Sequence, residues 1–231
     1  MDRIEIGAAV AHGVEGSLTA TGVQSLQTDT SKRFACVPHI ANRGPNQIYQ
    51  FKFDEDTGRL TPNSPPRVEP TEHVGTRHFC FHPSLDILYF TDEQGCSVTA
   101  YRLDTGAGTL QAFQTISTLP DSYSGSNSCS QIQITPNGNF LYAPNRGHNS
   151  IAGFSVDPTS GTLSAAGHVA TQPVPRAFNL DPQGKFVYAA GLETGNLTSY
   201  VIDQATGELT PSEIYPVGNR PMWVLTTELG G

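Results

Sequence analysis

Four side chains of this 231-residue chain have the types and the spacing to handle a small anion: Arg77, Glu93, Arg146 and Arg176. Arginine grips planar carboxylates and phosphates through a rigid fork of donors that keeps its charge. A carboxylate set among arginines can act as a base toward water or a C–H when its pKa suits the task. Arg77 opens the run RHFCF, Glu93 follows ILYFTD, Arg146 follows FLYAPN, and Arg176 opens RAFNL. Gln24 opens the equivalent earlier run, and His148, Glu193, His39 and Arg43 lie in loops of the same kind as those of Glu93 and Arg146. Each residue also has a plainer role open to it. Arg77–Glu93 can be a channel-lining salt bridge, and His148 a hydrogen-bonding turn residue within NRGHN. His82 and His168 suit structural or solvent-facing places, and Asp157 and Asp203 suit turns. The chain has no P-loop, no G-x-S-x-G, no HExxH and no dinucleotide fingerprint.

An internal repeat brings these residues together. DTSKRFACV, HPSLDILYF, TPNGNFLYA and DPQGKFVYA place Phe34, Ile87, Phe140 and Phe186 at spacings of 53, 53 and 46. IYQFKFDEDTGRL, VTAYRLDTGAGTL, IAGFSVDPTSGTL and LTSYVIDQATGEL place Phe51, Tyr101, Phe154 and Tyr200 at 50, 53 and 46. Two registers that agree mark a unit of roughly fifty residues, and four short strands per unit mark a propeller blade. The expected architecture is all-β: one partial β-propeller domain over 1–231, with four-stranded antiparallel blades near 22–75, 76–129, 130–175 and 176–220. Pro221–Thr226, with Trp223 in the place of Phe178, reads as a closing inner strand, and Arg3–Glu15 as a lone outer strand. In a blade, the start of the first strand and the loop after the second lie on one face near the axis. Gln24, Arg77, Arg176, Glu93, Arg146 and His148 are therefore expected there, and the Asp…Thr-Gly turns on the opposite face.

Composition bounds the partners. A net charge of −8 disfavours bulk phosphate-backbone binding, so no nucleic acid is expected. No apolar stretch reaches membrane-span length, and the N-terminus lacks the apolar core of a signal peptide. The chain reads as cytoplasmic. Cys36, Cys80, Cys96 and Cys129 form no CxxC pair, so they read as ordinary, mostly buried thiols and not as a metal site.

The segments GTRHFCFHPSLDILYFTDE, IQITPNGNFLYAPNRGHNSIAGF and PRAFNLDPQGKFVYAAGLETGNLTSY resemble the seven-bladed β-propeller lactonase family, over roughly residues 14 to 227. That family includes bacterial-type 6-phosphogluconolactonases and fungal carboxymuconate lactonizing enzymes. The resemblance implies an enzyme without a cofactor that opens or forms a lactone. It assigns catalytic roles to Arg77 in GTRH, Glu93 after Asp92 where the family carries Asn, and Arg146 in NRGH. The family's inner-strand histidine falls on Gln24, and its Glu and His of the third blade fall on Gln131 and Gln133. An amide donates and accepts hydrogen bonds but does not shuttle protons.

The leading expectation is hydrolysis of a sugar-acid lactone, 6-phosphogluconolactone before others. Glu93, Arg77 and Arg146 would be catalytic, and Gln24, His148 and Arg176 would bind substrate. A non-catalytic propeller binding small anions or a protein, and a muconate-type cycloisomerase, are the alternatives. About two blades fewer than seven leave strand edges open to self-association.

Overall fold

The computed structural model describes residues 25–40, 46–70 and 74–228. Every regular element among them is a β-strand. β1 (Gln27–Thr28), β2 (Phe34–Pro38), β3 (Ile48–Asp54) and β4 (Arg59–Val68) form one antiparallel sheet in that order. β5 (Thr76–Phe81), β6 (Ile87–Asp92), β7 (Ser97–Asp104) and β8 (Thr109–Ser117) form the second. The third runs β9 (Gln133–Ile134), β10 (Phe140–Asn145), β11 (Ser150–Val156), β12 (Leu163–Ala170). The fourth runs β13 (Pro175–Leu180), β14 (Phe186–Gly191), β15 (Asn196–Ile202), β16 (Leu209–Pro216). These are the four blades that the repeat implies, arranged as in a propeller, and among the described residues no sheet closes on itself.

Burial follows position in the blade. β2, β6 and β10 are buried at every residue, and β6 and β10 have a blade packed on each face. The outer strands β12 and β16 are mostly exposed. Each joint between blades has its own apolar cluster. Cys36 and Ile48 pack with Phe79, Leu88 and Tyr101, and Ile87, Tyr89 and Ala100 pack with Leu141 and Phe154. Phe140 and Tyr142 pack with Phe178, Val187 and Tyr200.

The sequence motifs fix the two kinds of turn. Asp54, Asp104, Asp157 and Asp203 each accept backbone N–H bonds from residues two and three positions on, which closes the turn between third and fourth strands. Those hydrogen bonds hold the Asp157 carboxyl well below its ordinary range. Asp29, His82, Thr135 and Asp181 do the equivalent work between first and second strands. The glycine that ends the outer turn sits on the blade before it. A Cβ on Gly108 would fall 2.0 Å from Phe34, one on Gly161 2.2 Å from Ile87, and one on Gly207 2.3 Å from Phe140. The hydroxyls of Tyr89 and Tyr142 donate to the carbonyls of Gly161 and Gly207, each at 2.8 Å.

Two sequence expectations change here. Pro221–Thr226 forms no strand ladder. It lies beside β13: Val224 packs on Ala177 and Ala190, Asn179 Nδ2 donates to the Val224 carbonyl, and the Thr226 hydroxyl donates to the Leu180 carbonyl. No described strand stands on its other side to pair with it. The inner strand expected from Ser130 is reduced to β9 and an isolated Cys129–Asn145 bridge. The Ser130 carbonyl and the Cys129 N–H turn instead to the second blade. Gln24, Arg43 and the Arg3–Glu15 strand lie outside the described residues.

Candidate active site

Arg77 is the second residue of β5, the innermost strand of its blade, and Glu93 follows β6 directly. The antiparallel pairing of Thr76 with Asp92 sets them side by side. Arg146 follows β10 in the next blade and reaches back across the joint. Glu93 bridges both arginines. Its Oε2 lies 2.6 Å from Arg77 Nε and its Oε1 2.9 Å from an Arg146 terminal nitrogen. The Arg77 contact is an ion pair without an aligned hydrogen bond, since its Nε–H does not point along the short N···O vector. All three side chains are almost fully enclosed.

The arginines are braced from below. An Arg77 terminal nitrogen donates to the Ser130 carbonyl at 2.7 Å, and Arg146 donates to the Cys129 carbonyl at 2.9 Å and the Ser128 carbonyl at 3.4 Å. The interrupted third inner strand thus supplies the carbonyls that orient the guanidinium groups. The glycine of NRGH allows this seating. A Cβ on Gly147 would fall 1.9 Å from the Ser126 carbonyl oxygen, and the Gly147 N–H donates to Asn127 Oδ1 at 2.8 Å. Asn145, just before Arg146, is locked between Thr118, Asn127 and Ser150.

Arg176 is the second residue of β13, after Pro175, and its charge reaches Arg77. Burial first, then the Arg146 charge, lowers the Arg77 guanidinium to about 10, with Glu93 acting against the shift. It stays charged at neutral pH. Three cations and one carboxylate give this pocket a positive balance inside an acidic chain, which suits a small anion.

His148 does not join the group. Its Nδ1 shares a 2.7 Å hydrogen bond with the Ser150 hydroxyl, and its ring meets Tyr123 and, on the outer strand β12, His168. It therefore points away from the axis, and the turn role is the one it takes. His168 Nε2 bridges to the Thr118 carbonyl of the preceding blade at 2.9 Å. Gln131 is also occupied: its Oε1 accepts the Phe178 N–H at 2.8 Å, a tie between inner strands. Glu193 is exposed, and His39 is buried against Tyr49.

Two residues enter that the sequence reading did not give a role. His78 Nδ1 lies 2.6 Å from the Arg77 guanidinium. Arginine only donates, so Nδ1 accepts and the proton sits on Nε2. Burial and then the Arg77 charge lower this ring to about 3, so it is neutral at physiological pH. Asp92 is buried, accepts from Ser97 at 2.8 Å and Thr99 at 2.6 Å, and is pushed up to about 6 by that burial. Residue type alone signals neither, because contacts from other strands create both. Among the described residues no cluster of His, Cys, Asp and Glu could hold a metal ion, and no helix is long and apolar enough to cross a membrane.

The family model for the seven-bladed β-propeller lactonases matches residues 12–226. The chain belongs to this lactonase family. Among its relatives, the 6-phosphogluconolactonase of Serratia proteamaculans (strain 568) is 34% identical over 204 residues, 88% of this chain and 60% of that protein. That of Yersinia pestis is 35% identical over 198 residues, 81% of this chain and 59% of that protein. The periplasmic gluconolactonase of Pseudomonas aeruginosa superposes with a TM-score of 0.78 at 25% identity, over 85% of this chain and 55% of that one. A protein from Lactobacillus plantarum superposes with a TM-score of 0.80 at 24% identity and shares the fold, over 87% of this chain and 57% of that one. The chain thus spans about three fifths of the length of the curated relatives it matches.

Proposed function

We propose that this lactonase-family site hydrolyses an anionic sugar-acid lactone, with 6-phosphogluconolactone as the favoured substrate. The observation that carries the reading is Glu93 held between Arg77 and Arg146, with Arg176 close by, on one face of an acidic chain. The names of the curated relatives support the substrate. In the proposed reaction Glu93 accepts a hydrogen bond from the attacking water. Arg77 or Arg146 stabilises the oxyanion that forms when water adds to the lactone carbonyl. The ring C–O bond then breaks, one proton of the attacking water passing by way of Glu93 to the leaving ring oxygen and the other released to solvent, which gives a carboxylate and an alcohol. Arg176, at the rim, takes the phosphate. The chemistry we propose needs no cofactor. The four free thiols support a reducing compartment, the cytoplasm. We also propose that the open blade edges associate with one another.

One observation favours a binding-only reading as second choice: both Glu93 oxygens are already taken by guanidinium groups. A pH-stat assay on 6-phosphogluconolactone, corrected for spontaneous opening, separates the two. Lactonase chemistry predicts that Glu93→Gln lowers kcat by about 10²–10⁴-fold, while Arg176→Ala chiefly raises KM. Wild-type protein that leaves the buffer rate unchanged but still binds 6-phosphogluconate would overturn hydrolysis in favour of binding.

A further inference from the structure

The loop that carries Glu93 also carries Cys96, and the carbonyl that braces Arg146 belongs to Cys129. Two asparagines link the thiols: Asn127 Nδ2 reaches Cys96 Sγ at 3.3 Å and Asn145 Oδ1 at 2.9 Å, and Cys129 Sγ lies 3.7 Å from that same Asn145 Oδ1. We propose that Cys96 and Cys129 form a reversible, peroxide-sensitive dithiol that joins the second and third blades beside the arginine–glutamate cluster.

Several contacts prearrange the pair. Thr118 Oγ1 lies 3.1 Å from Cys129 Sγ and donates to the Cys96 carbonyl at 2.9 Å, so one hydroxyl touches both residues. Asn127 Nδ2 donates to Cys96 Sγ at 3.3 Å. The Cys129 N–H donates to the Glu93 carbonyl at 3.1 Å, which ties the two segments by their backbones. Cys96 is partly exposed, whereas Cys129, Cys36 and Cys80 are buried. A peroxide therefore meets Cys96 first. The hydrogen bond from Cys129, with Asn127 and the Arg146 charge, holds the Cys96 thiol below its ordinary range, and the partner Cys129 is raised. Burial, helped by the Asp29 charge, raises Cys36 to about 12, and burial pushes Cys80 well up, which leaves both unreactive.

The chemistry closes with a peroxide as oxidant. The Cys96 thiolate attacks one peroxide oxygen, the O–O bond breaks, and Cys96 becomes a sulfenic acid while hydroxide leaves. The Cys129 sulfur then attacks the Cys96 sulfur, its proton passing to the departing oxygen, and water leaves. Two thiols are oxidised and one peroxide is reduced to two waters. A dithiol reductant restores both thiols.

The test uses the full 231-residue chain, reduced, desalted and treated with one equivalent of hydrogen peroxide. Wild type should lose two of its four free thiols, give a Cys96–Cys129 linked peptide on mapping, and recover both thiols with dithiothreitol. Cys129→Ser should stop at the sulfenic acid and label with dimedone at Cys96. Cys96→Ser should keep its remaining thiols, with circular dichroism confirming that each variant is folded. If a variant fails to fold, the wild-type peptide map decides alone. Oxidation that spares Cys96, or that takes Cys96 to sulfinic acid with Cys129 still free, overturns the proposal. None of these readouts depends on lactone hydrolysis.

Discussion

Asp92 carries a charge problem beside the arginine–glutamate cluster. It is buried, accepts two hydroxyl hydrogen bonds through Oδ2, and leaves Oδ1 without a partner. Burial raises it to about 6, so the folded chain keeps its proton at pH values where the unfolded chain has lost it. The unfolded state then binds fewer protons, and stability falls as pH rises from about 4 to about 6. Asp92→Asn removes this loss. Chemical denaturation should show no gain for the variant below pH 4, and a gain of roughly 2–3 kcal/mol once pH exceeds 6. A gain that is the same at every pH would show that the charge is not the cause. At this scale the sequence exposed Arg77, Glu93, Arg146 and Arg176, because a strand-direction argument needs only their positions in the repeat. It offered His148 both as a turn residue and as a substrate ligand without deciding between them, since Tyr123 from the second repeat and His168 from the third settle where the ring points. Nor did it expose the part played by Ser130, whose contribution is a carbonyl that any residue could offer.

Strands and turns set where those residues meet. The outer-turn glycines have positive φ, and three of them press on the blade before them. Gly207→Ala therefore meets two obstacles: a left-handed backbone and the Phe140 ring. It should cost about 2–4 kcal/mol in urea denaturation. Gly58→Ala has the same backbone, with φ of 70°, but no atom within 4 Å of the new Cβ. It should cost only about 1–2 kcal/mol. Equal losses at the two sites would mean that backbone strain, and not the joint between blades, governs both. The strands themselves were legible from the two repeat registers. The second strands start at Phe34, Ile87, Phe140 and Phe186, as aligned in the sequence. The short β9 was not, because its interruption depends on where neighbouring guanidinium and amide groups find acceptors.

At the scale of the molecule, the last described blade differs from the joints. Phe140, under Gly207, is 7% exposed, while its counterpart Phe186 is 37% exposed and has no described glycine over it. Val201, paired with Phe186, and Tyr215, paired with Leu197 on the same face, are 42% and 46% exposed. Apolar area of this kind is what one blade buries against the next. Light scattering on the 231-residue chain should show mass rising with concentration, and Phe186→Asp with Tyr215→Asp should shift the onset to higher concentration. A monomer at every concentration would refute association through this flank. The blades were legible as a count of repeats. How their free flanks are satisfied was not, because that depends on surfaces and not on spacing.

The joint built from one glycine turn, one apolar side chain and, in two cases, one tyrosine hydroxyl has a consequence for how such a chain changes over generations. Each joint takes its socket from the upstream repeat and its plug from the downstream one, and the same parts recur at Phe34–Gly108, Ile87–Gly161 and Phe140–Gly207. Duplicating or deleting a whole repeat therefore leaves every remaining plug facing a matching socket. A gain or loss that departs from the period by a few residues leaves a mismatched pair. Gain and loss of material in this lineage should thus proceed in units of one blade, with the boundary free to fall anywhere in the repeat so long as the period is kept.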